Sequence, residues 1–113
     1  MNNKTMDTVN NVNTLINSFH DIWHLPALQL VNRAWRERTP SALLEAIQYT
    51  EQAITALEHL QMSVARLVQR DCSTITPEEA WRVANDFEEL ACSLQYITVE
   101  LGELAIQIAE ECS

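Results

Sequence analysis

Glycine and proline are scarce in this chain of 113 residues, which contains one glycine and three prolines. A β protein would need turn residues about every ten positions, and a disordered chain would be poorer in apolar residues than the 47% found here. The composition therefore indicates an all-α protein. Its length is that of one domain, so we expect a single all-α domain over residues 1–113, with residues 1–5 disordered.

Long apolar runs and cysteine pairs are also missing. No run reaches the roughly 18 apolar residues of a membrane-spanning helix, and the N-terminus has no apolar core or cleavage site of a secretory signal. The three cysteines are far apart, with no Cys-x-x-Cys spacing, as expected for reduced thiols. We therefore expect a cytoplasmic protein that does not contact a membrane.

Basic residues are few, seven against 16 acidic ones, and the net charge is −9. Acids and bases balance up to Arg70, whereas Arg82 is the one base among ten acids from Asp71 onward. This excess of acid disfavours nucleic acid as a partner and favours basic proteins. We predict a partner-binding acidic face on the last helix, formed by Glu88, Glu89, Glu100, Glu103, Glu110 and Glu111. A purely solubilising face is the alternative.

The last third of the chain has the most regular pattern. Its apolar residues follow one another at spacings of four and three, which predicts a helix with one seam packed along another helix. The seam residues are Val83, Phe87, Leu90, Leu94, Ile97, Leu101, Leu104 and Ile108. A second row, seven residues apart, contains only small residues and would let a neighbouring backbone approach: Ala84, Ala91, Thr98, Ala105 and Cys112.

Helix-start signals divide the chain into four helices. Thr39-Pro40 predicts an N-cap and a first-turn proline, and Thr76-Pro77-Glu78-Glu79 predicts a capping box. We expect a long antiparallel helix hairpin, at about 40–70 and 76–112, because the connection is short. Two shorter N-terminal helices, at about 6–24 and 27–38, are expected to flank Pro26 and pack along this hairpin as a helical bundle.

A second apolar stripe runs opposite the seam on the last helix and comprises Cys92, Tyr96, Val99 and Ile106. A helix with two apolar stripes usually has neighbours on both sides. Either the N-terminal helices cover this stripe, or it is the two-fold contact of a homodimer. The three tryptophans, Trp23, Trp35 and Trp81, are expected in the core or at the ends of the bundle.

One basic patch, Arg33, Arg36 and Arg38 beside Trp35, lies near the end of the second helix. Arginine beside a partly exposed tryptophan is a composition typical of interface anchors. The patch therefore contacts either an acidic partner or the acidic last helix of the same chain.

His20 and His24 are one helical turn apart in His-Asp-Ile-Trp-His, a spacing that can hold a metal ion. The segment resembles the His-Glu-x-x-His of zinc peptidases, with Asp21 in place of the glutamate. A catalytic zinc site needs a third protein ligand, and none stands at a recognisable spacing. We predict surface histidines and no metal or other cofactor.

Glu100 and Glu103 lie in a Glu-Leu-Gly-Glu-Leu segment. It looks like the first magnesium-binding helix of the all-α nucleotide pyrophosphohydrolases of the MazG and dimeric dUTPase type. That resemblance implies carboxylates that share a divalent ion bridging phosphates. The family also needs a second acidic pair on a following helix, and this chain ends at Ser113.

Taken together, these patterns predict a small acidic, non-enzymatic protein–protein interaction module that acts as a homodimer, such as an adaptor, a chaperone-like partner or an inhibitor. Two alternatives remain. One is a phage or mobile-element antagonist of the anti-CRISPR or anti-restriction type, which blocks a nucleic-acid-binding enzyme through its acidic face. The other is a magnesium-dependent nucleotide pyrophosphohydrolase that uses Glu100 and Glu103.

Overall fold

Helices account for nearly all of the chain in the computed structural model. The model describes the backbone of residues 3–71, 73 and 75–112, and the side chains of the same residues from Asn10 onward. The elements are α1 (Asn3–Phe19), a π-helical turn (His20–His24), α2 (Leu25–Glu37), α3 (Pro40–Arg70) and α4 (Pro77–Cys112). The described residues contain no strand, and the predicted all-α class is confirmed.

The prediction of two short N-terminal helices was wrong. α1, the π-helical turn and α2 follow one another without a break, and both residues that flank the turn, Phe19 and Leu25, have right-handed helical angles. We call this continuous element the N-terminal rod. The protein therefore consists of three long helices packed together. Residues 1 and 2 of the segment predicted to be disordered lie outside the described residues, and the helix begins at Asn3.

Pro26 does not end the rod, and two hydrogen bonds near it account for the continuation of the helix. The amide of Leu25 donates to the carbonyl of His20, five residues back, in the π-helical pattern. Pro26 has no amide to donate to Ile22, the residue four positions earlier. The hydroxyl of Tyr49, on α3, donates to that Ile22 carbonyl instead, over 2.5 Å. A contact from a neighbouring helix thus replaces a bond that the proline removes.

The two predicted caps are present. The amide of Ala42 donates to Thr39 Oγ1 at 3.2 Å. At the start of α4 the amide of Glu79 donates to Thr76 Oγ1 at 3.2 Å, and the Thr76 amide donates to the Glu79 carboxylate at 3.3 Å. This is the reciprocal pairing of a capping box, and it fixes the starts of α3 and α4.

The three long helices lie side by side in a body of 65 × 19 × 17 Å. Arg38, at the end of the N-terminal rod, contacts Gln107 and Glu111 near the end of α4, so these two helices run in the same direction. α3 runs in the opposite direction between its two short connections. A single apolar core lies between the three helices, and the seam of α4 is buried in it from Leu90 to Ile108.

The N-terminal rod contributes two alanines to this core, Ala27 and Ala34, which have no exposed surface. Small side chains let the rod lie close to its neighbours. The row of small residues on α4 behaves differently, since Ala84, Ala91 and Thr98 are exposed. Thr98 and Ala105 of this row line a groove between α4 and α3.

Candidate interaction surfaces

The outward face of α4 carries large apolar side chains that no described helix covers. Tyr96, Val99 and Ile106 are 63%, 55% and 61% exposed, and Cys92 is an exposed free thiol. The N-terminal rod therefore does not cover the second apolar stripe, which was one of the two readings of the sequence. A monomer leaves this stripe in water, where apolar surface is unfavourable.

Trp81 belongs to the same face: it lies near the start of α4, at one end of the bundle, and its side chain is not in the core. It is 73% exposed, more than any other large apolar residue among those whose side chains the structure describes. It precedes Val99 by 18 residues, which is five helical turns, so the two side chains point in the same direction. This helical spacing was the signal in the sequence that would have placed Trp81 on the stripe.

Acidic side chains flank the stripe. Glu88, Glu89 and Glu103 are exposed, and so are Glu110 and Glu111, whereas Glu100 is half-buried. Glu111 accepts a hydrogen bond from Arg38 Nη1 at 2.8 Å, and this ion pair ties α4 to the end of the N-terminal rod. A hydrogen bond to Glu100 and the charge of its carboxylate raise the pKa of Tyr96 above its ordinary value.

The basic patch is engaged within the chain. Arg33 pairs with Glu37 on its own helix and with Glu45 on α3, the latter at 3.2 Å. These carboxylates raise the pKa of Arg33 further. The guanidinium of Arg38 binds α4 and also lies 5.5 Å from the centre of the Trp35 ring. Two of the three arginines therefore have acidic partners within the chain, while Arg36 is exposed.

The histidine pair lies on the π-helical turn. The Nδ1 atoms of His20 and His24 are 2.9 Å apart, which is a hydrogen-bonding distance. Both side chains line a cavity of about 340 Å³ between the N-terminal rod and α4. Asp86 and Glu89 of α4 line the same cavity. The sequence contains no signal for this juxtaposition, because the four residues come from helices that are far apart along the chain.

Partial burial has a measurable electrostatic consequence in this cavity. Loss of water around His24 lowers its pKa below the ordinary value, and the nearby His20 lowers it further. The predicted pair of surface histidines is therefore an asymmetric one, since His20 is exposed and His24 is half-buried. A neutral imidazole is the protonation state that can donate a lone pair.

Within the described residues, Glu100 and Glu103 have no second acidic pair close enough to share a metal ion with them. In the part of the chain that the structure describes, no three histidine, cysteine, aspartate or glutamate side chains lie close enough together to hold a metal ion. The carboxylate of Glu100 also interacts with the hydroxyl of Tyr96. Among the described residues, the geometry offers two carboxylates one turn apart and no further ligand.

An apolar groove of about 250 Å³ lies between α3 and α4, lined by residues such as Ile47, Ile54 and Leu101. Gly102 borders it, and a Cβ atom added there would meet no atom within 4 Å. Thr50, which is only 3% exposed, also borders the groove, and its hydroxyl has no hydrogen-bond partner in the described structure.

Comparison with known proteins leaves the surfaces of this chain to be interpreted from their own chemistry. Within the described residues, no helix combines the length and the apolar character that crossing a bilayer requires. The chain matches none of the protein-family models, curated proteins or solved structures with which it was compared.

Proposed function

We propose that this protein is a small acidic, non-enzymatic protein–protein interaction module that acts as a homodimer through the outward face of α4. The observation that carries the proposal is the stripe of Trp81, Tyr96, Val99 and Ile106, each more than half exposed. Aromatic and large aliphatic residues of this kind are the anchors of protein interfaces.

The stripe is suited to an antiparallel pairing with a second copy. If the two-fold axis crosses α4 at the level of Ser93 and Leu94, each residue faces the one equally far on the other side of it. Trp81 then faces the partner's Ile106, and Cys92 lies near the partner's Tyr96. A two-fold contact is self-complementary by necessity, and this axis pairs residues of the stripe with one another.

Size and charge both predict a weak dimer. From Trp81 to Ile106 the stripe is about 38 Å long and one helix, about 10 Å, wide. That area of roughly 400 Å² per copy is below the 800 Å² or so of a standard interface. The same pairing also brings Glu88 level with the partner's Glu100. We therefore expect an affinity in the micromolar range, limited by repulsion between like charges.

The effect of salt concentration on affinity distinguishes self-association from binding to a basic partner. Screening relieves the repulsion between the two acidic faces, so self-association should strengthen between 50 and 500 mM salt. Contacts with a basic protein would instead weaken over the same range. Sedimentation equilibrium at several protein concentrations measures the first effect directly. A protein that stays monomeric at high concentration and high salt would refute the homodimer.

A double substitution on the stripe tests the interface itself. Val99→Glu with Ile106→Glu should give a folded monomer, because both side chains are exposed in the single chain. The matched control is Leu44→Glu with Met62→Glu on α3, whose side chains are 55% and 56% exposed. The control should remain dimeric. If both double variants dimerise equally, the interface lies elsewhere; if only the α4 variant unfolds, the stripe is core and not surface.

The exposed glutamates of α4 favour a second candidate, the antagonist that blocks a nucleic-acid-binding enzyme. Glu88, Glu89 and Glu103 are exposed on a helix whose one basic residue is Arg82. Such a face could occupy a basic groove in place of phosphates. Affinity capture from a host lysate at low and moderate salt tests this function: a stoichiometric basic partner released by salt supports it, and recovery of the protein alone opposes it.

A further inference from the structure

The π-helical turn places two imidazole nitrogens within hydrogen-bonding distance of each other. The Nδ1 atoms of His20 and His24 are 2.9 Å apart, although the ring centres are 4.9 Å apart and the rings are tilted by 60°. Both side chains line the cavity of about 340 Å³ between the N-terminal rod and α4.

The distance between the two nitrogens determines the angle that they would form at a shared metal ion. Two nitrogens that each lie about 2.0–2.1 Å from one ion and 2.9 Å from each other subtend an angle of roughly 90° at the ion. A tetrahedral ion such as Zn²⁺ would need the nitrogens about 3.3 Å apart at the same bond length. Right angles between ligands are the preference of tetragonal ions, Cu²⁺ and Ni²⁺.

We propose that His20 and His24 form a two-histidine binding site for a tetragonal divalent transition metal, Ni²⁺ or Cu²⁺. Water completes the coordination, because no third protein side chain in the described structure is close enough to be a ligand. The carboxylates of Asp86 and Glu89 line the same cavity from α4. Acidic groups around a site bind its ligating waters and offset the charge of the ion, as outer partners do in other metal sites.

Both imidazoles would have to be unprotonated at the ligating nitrogen, because a metal ion binds the lone pair of a neutral imidazole. Metal binding at this turn is independent of the outward stripe of α4 and of the homodimer.

Titration calorimetry with Ni²⁺ alone tests the proposal on the full chain. Ni²⁺ is the better probe because Cu²⁺ would oxidise the exposed thiols of Cys92 and Cys112. We expect one equivalent to bind at pH 7.5 and to raise the melting temperature. His20→Ala and His24→Ala should each weaken binding by about tenfold or more, since each removes one of two protein ligands.

His59 provides the matched control, because it is the third histidine of the chain and is exposed on α3. His59→Ala should bind Ni²⁺ as tightly as the unmodified protein. Asp86→Asn should weaken binding by a smaller factor than loss of either ligand. The proposal is overturned if the unmodified protein does not bind Ni²⁺, or if His24→Ala binds it equally well. Tighter binding of Zn²⁺ than of Ni²⁺ would refute the tetragonal geometry.

Discussion

Tyr49 and Pro26 should be energetically coupled through the carbonyl oxygen of Ile22, although they lie on different helices. The Tyr49 hydroxyl donates to this oxygen at 2.5 Å. The residue that would donate to it in an uninterrupted α-helix is position 26, where proline has no amide. The tertiary hydrogen bond thus takes the place of a helical one, and its contribution should depend on which residue occupies position 26.

Tyr49→Phe removes the hydroxyl and leaves the ring, whose centre lies 5.4 Å from that of Trp23. The net contribution of one hydrogen bond is about 1 kcal/mol, within roughly 0.5 on either side. In a chain of this length, 1 kcal/mol shifts the melting temperature by about 4 °C. We therefore expect Tyr49→Phe to lower the free energy of unfolding by about 1 kcal/mol in the presence of Pro26.

A double-mutant cycle of Tyr49→Phe and Pro26→Ala tests whether the effect of losing the Tyr49 hydroxyl depends on the proline. In a Pro26→Ala background the new amide can donate to Ile22, so Tyr49→Phe should cost less than about 0.5 kcal/mol. Urea denaturation of the four proteins, with equal slopes, measures the difference. Tyr96→Phe is the matched control, since the hydroxyl of Tyr96 interacts with Glu100 on an exposed surface. An equal cost of Tyr49→Phe in both backgrounds would refute the reasoning.

Three further predictions concern single residues. Arg38 has left-handed backbone angles (φ 53°, ψ 37°) at the end of α2. The Arg38→Gly variant should therefore have a free energy of unfolding in urea about 1 kcal/mol higher than that of Arg38→Ala. Both variants lose the ion pair with Glu111, so equal stabilities would contradict this account. Thr50→Val should raise the free energy of unfolding by about 1 kcal/mol, because the buried hydroxyl has no hydrogen-bond partner among the described residues. Thr98→Val should not, since the Thr98 hydroxyl donates to the carbonyl of Leu94. Because the pKa of His24 is lowered in the folded state, the unfolded chain takes up the proton first as the pH decreases. The free energy of unfolding should therefore fall as the pH decreases from about 7 through 6.5. The contribution of His24 to this pH dependence should disappear in the His24→Gln variant.

Much of the helical architecture could be predicted from local patterns. The limits of α3 and α4 agree with the sequence to within one residue, because their start signals are local: Thr39 and Thr76 cap amides within three positions of themselves. The buried face of α4 was also predictable, since a helix with a continuous apolar seam must bury it.

The N-terminal rod and the surfaces depended on tertiary structure. Pro26 is locally a helix-ending signal, and only the Tyr49 hydroxyl from a distant helix and the π-helical turn explain why the rod continues. The same turn brings the histidines to Asp86 and Glu89, and no spacing along the chain encodes that meeting.

For the second stripe of α4, the sequence determined that apolar residues lie on two sides of one helix. Whether a neighbour within the chain covers them was decided only by how the three helices pack. Local propensities and caps act over a few residues, and they determined which segments are helical. Burial is a property of the assembled helices, so it alone decided which apolar face remains exposed to solvent.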